Sequence, residues 1–247
     1  MEIDSLMANV PDLDLVLAEL SSRTRLRPFL RFQLVETGRS MPVALLNVGE
    51  TSIELLGRVE GNRPEDGTIS KVEIGIPVQQ ADEFEIASGM RLACVPAPKP
   101  HLRSVEILTQ TPERDEAALV GCLGATTVEK ERSLSLGPTT IRLVRAAGHH
   151  VQEEPGLAYP GWHRMGVKVA SVSEAHKRMI DWGLRTLVEP YQVMPGLAES
   201  MLLLPSGLIV QPTEEHLWKM MPVLALEWMR SKISGRPITF KTKRIAD

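Results

Sequence analysis

One order of patterns recurs along the chain and limits the folds open to it: a strand, a capped helix, then strands closing in a tight hairpin. The stretch EIDSLMANVPDLDLVLAELSS alternates apolar residues, turns at Pro-Asp and becomes an amphipathic helical run, and MPVALLNVGETSIELLG then reads as a hairpin around a Gly-containing turn. The same order returns in LRSVEILTQTPERDEAALVGCLGATTVEKERSLSLGPTTIRLVRA, with a Thr-Pro helix start and a helix ending at Gly124. It returns again in GWHRMGVKVASVSEAHKRMIDWGL, where the helix runs to Gly183, followed by ESMLLLPSGLIVQPTEE. A shorter copy, GTISKVEIGIPVQQADEFEIASGMRLACVPAP, has the first strand, a short helix-capable stretch and one later strand. The joints GRVEGNRPEDG, PAPKP and GHHVQEEPGLAYPG are rich in turn formers.

Such a unit leaves one face of a small sheet uncovered, so it completes a core only by pairing with another copy. The pattern predicts an α+β fold of tandem βαβββ modules, paired into curled mixed sheets around a cavity, with a C-terminal helical extension. The predicted division is a module pair over residues 1–99 with its second module truncated, a second pair over 100–214, and the extension over 215–247.

Composition narrows the function classes. The chain has 247 residues, 43% apolar and 24% charged, with a net charge of −3, so nothing draws it toward nucleic acid or an anionic membrane surface. No apolar run approaches the roughly 18 residues that span a bilayer, and the acidic N-terminus is unlike a signal peptide, which points to the cytoplasm. Cys94 and Cys122 sit in apolar surroundings without partners at metal-motif spacing and read as buried packing residues. The sequence contains no GxSxG elbow, phosphate-binding glycine loop or Cys-His nucleophile pattern.

The strand openings IDSLMANVPDLD, ISKVEIGIPV, LRSVEILTQTPERDEA and HRMGVKVASVSEA, with the closing hairpins VGETSIELL, LGPTTIRLV and PSGLIVQP, cover most of residues 3 to 214. In this recurring order the chain resembles the vicinal oxygen chelate superfamily of glyoxalases, bleomycin-resistance proteins and extradiol dioxygenases. That resemblance implies a cavity in each working pair, with a divalent ion held by His or Gln from first strands and Glu from last strands. Carried across, the first-strand position falls on Ser5, Lys71, Ser104 and Arg164, and the last-strand position on Glu54, Ala93, Arg142 and Gln211. Only Glu54 matches fully, with Gln211 a weak match, and the cationic residues oppose a cation, so a divalent metal is not favoured, its remaining route being through His163. His163 precedes Arg164 by one residue, and a one-residue register shift would exchange which of them faces the cavity. His101 is three residues ahead of Ser104, and His149-His150 falls in a joint.

In place of a metal, Ser104, Arg142, Arg164 and Gln211 would converge in the second pair as an anion-binding site. Glu54 would meet Lys71 in the first pair and could act as a base on an acidic carbon–hydrogen bond. The resemblance therefore implies an isomerase, lyase or related enzyme acting on a small, anionic organic substrate. The alternative is a noncatalytic small-molecule binding or sequestering protein of the same fold. Leu217, Met220, Met221, Leu224, Trp228 and Met229 give the extension an apolar helical face suited to packing on its own chain or to a homodimer, rather than to a lid.

Overall fold

The computed structural model describes residues 1–36, 39–57, 68–86, 90–128, 133–146, 161–235, 237–241 and 243–244. The joints around 58–67 and 147–160, with His149 and His150, lie outside the described residues. The first module is β1 (Ile3–Asn9), α1 (Leu13–Thr24), β2 (Pro28–Glu36), β3 (Arg39–Val48) and β4 (Thr51–Leu56). The Asp12 carboxylate starts α1 by accepting from the Leu15 amide at 3.0 Å, which satisfies one of the amides a helix start leaves unpaired. Leu13, Val16, Leu17 and Leu20 then fall on one buried stripe.

The second module, β5 (Ile69–Ile76), β6 (Asp82–Glu85) and β7 (Arg91–Pro96), has no helix among its described residues. The third is complete: β8 (His101–Thr109), α2 (Pro112–Leu123), β9 (Thr126–Val128), β10 (Ser133–Leu136) and β11 (Thr139–Arg145). The fourth is β12 (Gly161–Lys168), α3 (Val172–Asp181), β13 (Arg185–Met194), β14 (Leu197–Leu203) and β15 (Ile209–Glu215). The α+β class and the βαβββ repeat stand as expected from the sequence.

The pairing of modules differs from that expectation. β1 lies antiparallel to β12, with β4 and β15 parallel on their outer sides, so the first module pairs with the fourth. β5 lies antiparallel to β8, with β7 and β11 outside, so the second pairs with the third. A glycine keys each central contact. Gly166 faces Ser5, where a Cβ would come within 2.1 Å of the Ser5 hydroxyl, and Gly75 faces His101, where a Cβ would fall 2.1 Å from the imidazole. These close approaches admit one partner strand each, and neither joins consecutive full modules in the way the tandem order suggests. Trp162, fully buried, pairs with Ile69 and links the two halves.

One continuous apolar core takes side chains from all four modules and from α1, α2 and α3. Two smaller apolar clusters lie apart from it. Met7, Met41, Val43 and Leu56 come from the first module, and Tyr191, Met201, Leu203 and Ile209 from the fourth.

After β15 the chain forms α4 (Leu217–Ser234), ending at Gly235 in a left-handed conformation, then β16 (Thr239–Lys241) and β17 (Lys243–Arg244). β16 pairs with β2 and β17 with β13, so the chain end is hydrogen-bonded to both the first and the fourth module. No described helix is long and apolar enough to cross a membrane.

Candidate functional site

The curled sheet of the first and fourth modules encloses a cavity of about 380 Å³, within the size range of small-molecule sites. Its walls are mainly apolar, with Met7, Phe32, Val43 and Leu45 from one module and Val193 and Met201 from the other. The extension completes it: Met220 and Leu224 of α4 and Phe240 of β16 all line it, and Phe240 packs edge-on against Phe32 with ring centroids 5.3 Å apart. The extension packs on its own chain as expected, but it also covers the cavity, the role the sequence reading disfavoured.

Strand alternation fixes which side chains enter. On β4, Ile53 and Leu55 go to the core while Ser52, Glu54 and Leu56 face the cavity. On β1 the pairing with β12 shifts between Ile3 and Ser5, so the irregularity turns Asp4 to the cavity and leaves Ser5 buried off it. On β12, Trp162 and Met165 enter the core and Arg164 lines the cavity, while His163 does not. Glu199, Gln211 and Glu215 enter from β14 and β15.

Three of the residues singled out from the sequence, Glu54, Arg164 and Gln211, therefore meet in one cavity. They were expected in two. Met7 stands opposite both Glu54 and Arg164 in the strand register, and Arg164 is 7% exposed with its charge acting on both Glu54 and Glu199. Burial, with the Glu199 charge nearby, pushes the Glu54 carboxyl up to about 8, against the opposing pull of Arg164. Burial, with the Glu215 charge, raises Asp4 to about 6. Glu199 is raised by burial as well, although the Tyr191 hydroxyl donates to it at 2.8 Å and the Gln211 amide donates to it too. The Gln211 carbonyl oxygen is buried with no hydrogen-bond partner, and the residue is 2% exposed.

Lys71, Ser104 and Arg142 lie in the other module pair. The Lys71 ammonium pairs with Glu83 rather than Glu54, and Glu83 also takes Arg91 at 2.7 Å. Lys71 and Arg142 each stand beside Glu106 in the register, and Ser104 stands beside Glu73, which holds Arg103 at 3.0 Å. The four-residue anion site is not assembled, because its members divide between the two module pairs. His101 is accounted for by its place against Gly75 and a 3.1 Å contact with the Lys99 carbonyl.

The sequence reading missed Asp4, Tyr191, Glu199 and Glu215. The only signal for Asp4 and Glu199 was an acid set inside an otherwise apolar strand.

A divalent ion fits this donor set poorly. Of the facing positions Met7, Glu54, Arg164 and Gln211, only Glu54 is an ordinary ligand and Gln211 offers one amide oxygen, so no chelating set converges on one point. Among the described residues no three His, Cys, Asp or Glu gather into a metal-holding group.

The architecture is that of the vicinal oxygen chelate fold: paired βαβββ modules whose curled sheet surrounds a cavity. Among solved structures, a glyoxalase I variant from Zea mays superposes with a TM-score of 0.65 over 86% of this chain and 92% of its own, at 12% identity. Native Zea mays glyoxalase I gives 0.64 over 91% and 95%, also at 12% identity. A candidate dioxygenase from Bacillus subtilis gives 0.64 over 87% and 85% at 13% identity. No protein-family model matches the sequence, and no curated protein matches it.

Proposed function

We propose that the chain is an enzyme that moves a proton on a small organic molecule held in the cavity between the first and fourth modules, as an isomerase or lyase does, without a bound metal. The observation that carries this is Glu54: a carboxyl with a pKa of about 8, facing a mainly apolar cavity beside a buried guanidinium. A group tuned toward neutral pH can both give and take a proton during turnover. Arg164 is placed to stabilise negative charge developing on a substrate oxygen. Glu199, held by Tyr191 and Gln211, is a second carboxyl in the same space, so acid and base work can be divided between two groups whose surroundings differ. The fold supports a small-molecule site here, and the chemistry rests on these residues, because one fold hosts many reactions.

Turnover of carbonyl compounds with an acidic carbon–hydrogen bond tests the reading. Glu54→Gln should abolish it while the circular dichroism spectrum stays unchanged. A protein that binds such compounds and turns over none of them would be the noncatalytic binder. Two further readings belong to the proposal: a cytoplasmic location, and a homodimer formed through the outward face of α4. There Trp218 is 74% and Ile233 88% exposed, and sedimentation of the Trp218→Glu variant as a monomer against a dimeric parent would support it.

A further inference from the structure

We infer that the ligand of this cavity carries a protonated nitrogen, an organic ammonium at the polar end of an apolar body. The inference rests on the cavity being the ligand site, as proposed above, and it replaces the anionic substrate expected from the sequence.

Among the described residues, the charged groups facing the cavity are Asp4, Glu50, Glu54, Glu199, Glu215 and Arg164, five acids and one base. Two of the acids have outside help: Lys168 holds Glu215 at 3.3 Å, and Glu50 is exposed at the rim. Among the described residues Arg164 is the one cation lining the cavity; its charge acts on Glu54 and Glu199, while Lys168 acts on Asp4 from outside the lining. An anion entering would compete with Glu199 for that guanidinium and, at pH 7.5, meet the charge of Asp4 while Glu54 largely keeps its proton.

Hydrogen-bonding capacity points the same way. The Tyr191 hydroxyl and the Gln211 amide, which could donate to a ligand, already donate to Glu199. Two hydroxyls at the cavity wall are also turned to backbone carbonyls, Thr51 to Ile3 at 3.0 Å and Thr213 to Gln211 at 3.3 Å. Acceptors remain, above all the buried and unpartnered Gln211 oxygen. Leaving such an atom unpaired is unfavourable, and an N–H donor from a ligand would satisfy it. An ammonium brings up to three donors and the missing positive charge together. Phe32 and Phe240, in edge-on contact, offer ring surface to its apolar body. The raised Asp4 and Glu54 carboxyls are consistent with a site short of one cation.

The test uses three probes of one shape: phenylbutylamine, phenylbutanol and phenylbutyrate, titrated calorimetrically into the full chain at pH 7.5. The amine should bind at least about ten-fold tighter than the alcohol, and the carboxylate should bind weakest. Glu199→Gln and Gln211→Leu should each reduce the amine-to-alcohol ratio several-fold with little change for the alcohol. Equal binding of amine and alcohol, tighter binding of the carboxylate, or no binding of the amine would overturn the inference, and the parent chain alone decides this if a variant does not fold. The outcome is separable from the catalytic reading. Amine preference without turnover of any amine-bearing carbonyl defeats catalysis and leaves the inference standing. Glu54-dependent turnover of neutral or anionic compounds without amine preference does the reverse.

Discussion

Replacing Glu54 by glutamine should stabilise the protein, and by an amount that grows with pH. An unperturbed glutamate titrates near 4.5, whereas the folded protein holds Glu54 up at about 8. The folded state therefore keeps a proton that the unfolded state releases. Stability from this group is fully present below pH 4.5 and is lost as pH rises toward 8. Each pH unit in that window is worth about 1.4 kcal/mol, so the loss reaches about 3 kcal/mol at pH 7 and approaches ~5 kcal/mol above pH 8. Glutamine keeps the shape and the hydrogen-bonding edge of the protonated acid and never ionises. In urea titrations Glu54→Gln should match the parent within about 1 kcal/mol at pH 4.5 and exceed it by about 3 kcal/mol at pH 7. For a chain of this size that corresponds to a rise in Tm of about 6–12 °C. A difference independent of pH, or a variant less stable at pH 8 than the parent, would refute the buried, proton-holding Glu54. The expected pairing of higher stability with lost turnover is the trade seen where an active group is held in an unfavourable setting.

Asp4→Asn should behave alike in a lower window, gaining stability between pH 3.8 and about 6 and holding a constant advantage above that, as pH-resolved denaturation would show. Gly166→Ala drives a methyl group to 2.1 Å from the Ser5 hydroxyl at the centre of the β1–β12 contact and should cost ~2 kcal/mol or more. The combined Ser5→Gly, Gly166→Ala exchange should recover part of that loss, and strict additivity of the two substitutions in thermal melts would argue against the keyed contact. Cys94 and Cys122, both buried with thiols pushed up to about 11, should not react with Ellman's reagent at pH 7.5 until denaturant is added.

The repeat was legible because each module changes from a period of two to a period near 3.6 at a capping residue. Asp12 and Ser171 do cap α1 and α3, and Gly124 does end α2. Glu54 and Arg164 were legible as cavity positions because alternation carries through β4 and through Arg164, Met165 and Val167 of β12, where the two apolar residues enter the core; the irregularity in the pairing lies on the Trp162 side of Arg164. The partner of each module was not legible. Gly166 and Gly75 are visible as strand glycines, but a missing Cβ does not say which strand will occupy the space, and Ser5 lies more than a hundred residues from Gly166. Asp4 was lost to the irregularity in β1, since alternation counted from the core places Ser5 on the cavity face. Glu199 was lost because β14 is neither the first nor the last strand of its module, and only those strands were searched for site residues.

The two module pairs treat charge in opposite ways, and the contrast supports the proposed site in one of them. In the pair of the second and third modules, acids and bases alternate across neighbouring strands: Lys71 and Arg91 share Glu83, Arg103 takes Glu73, and the Ser70 hydroxyl donates to Glu106 at 2.6 Å. Those groups are partly open to water, where such pairs contribute little and cost little. In the pair of the first and fourth modules, Asp4, Glu54 and Glu199 are drawn out of water around one guanidinium and roofed by Met220, Leu224 and Phe240. For folding alone, leucine or methionine at those positions would serve better, because incompletely compensated buried charge opposes stability where apolar replacements do not. The roof narrows the access of water that would screen the carboxyls, which stay only partly exposed. A chain end that reaches back over these acids, rather than leaving them at an open rim, fits the proposal that a ligand of the opposite charge shares the cavity.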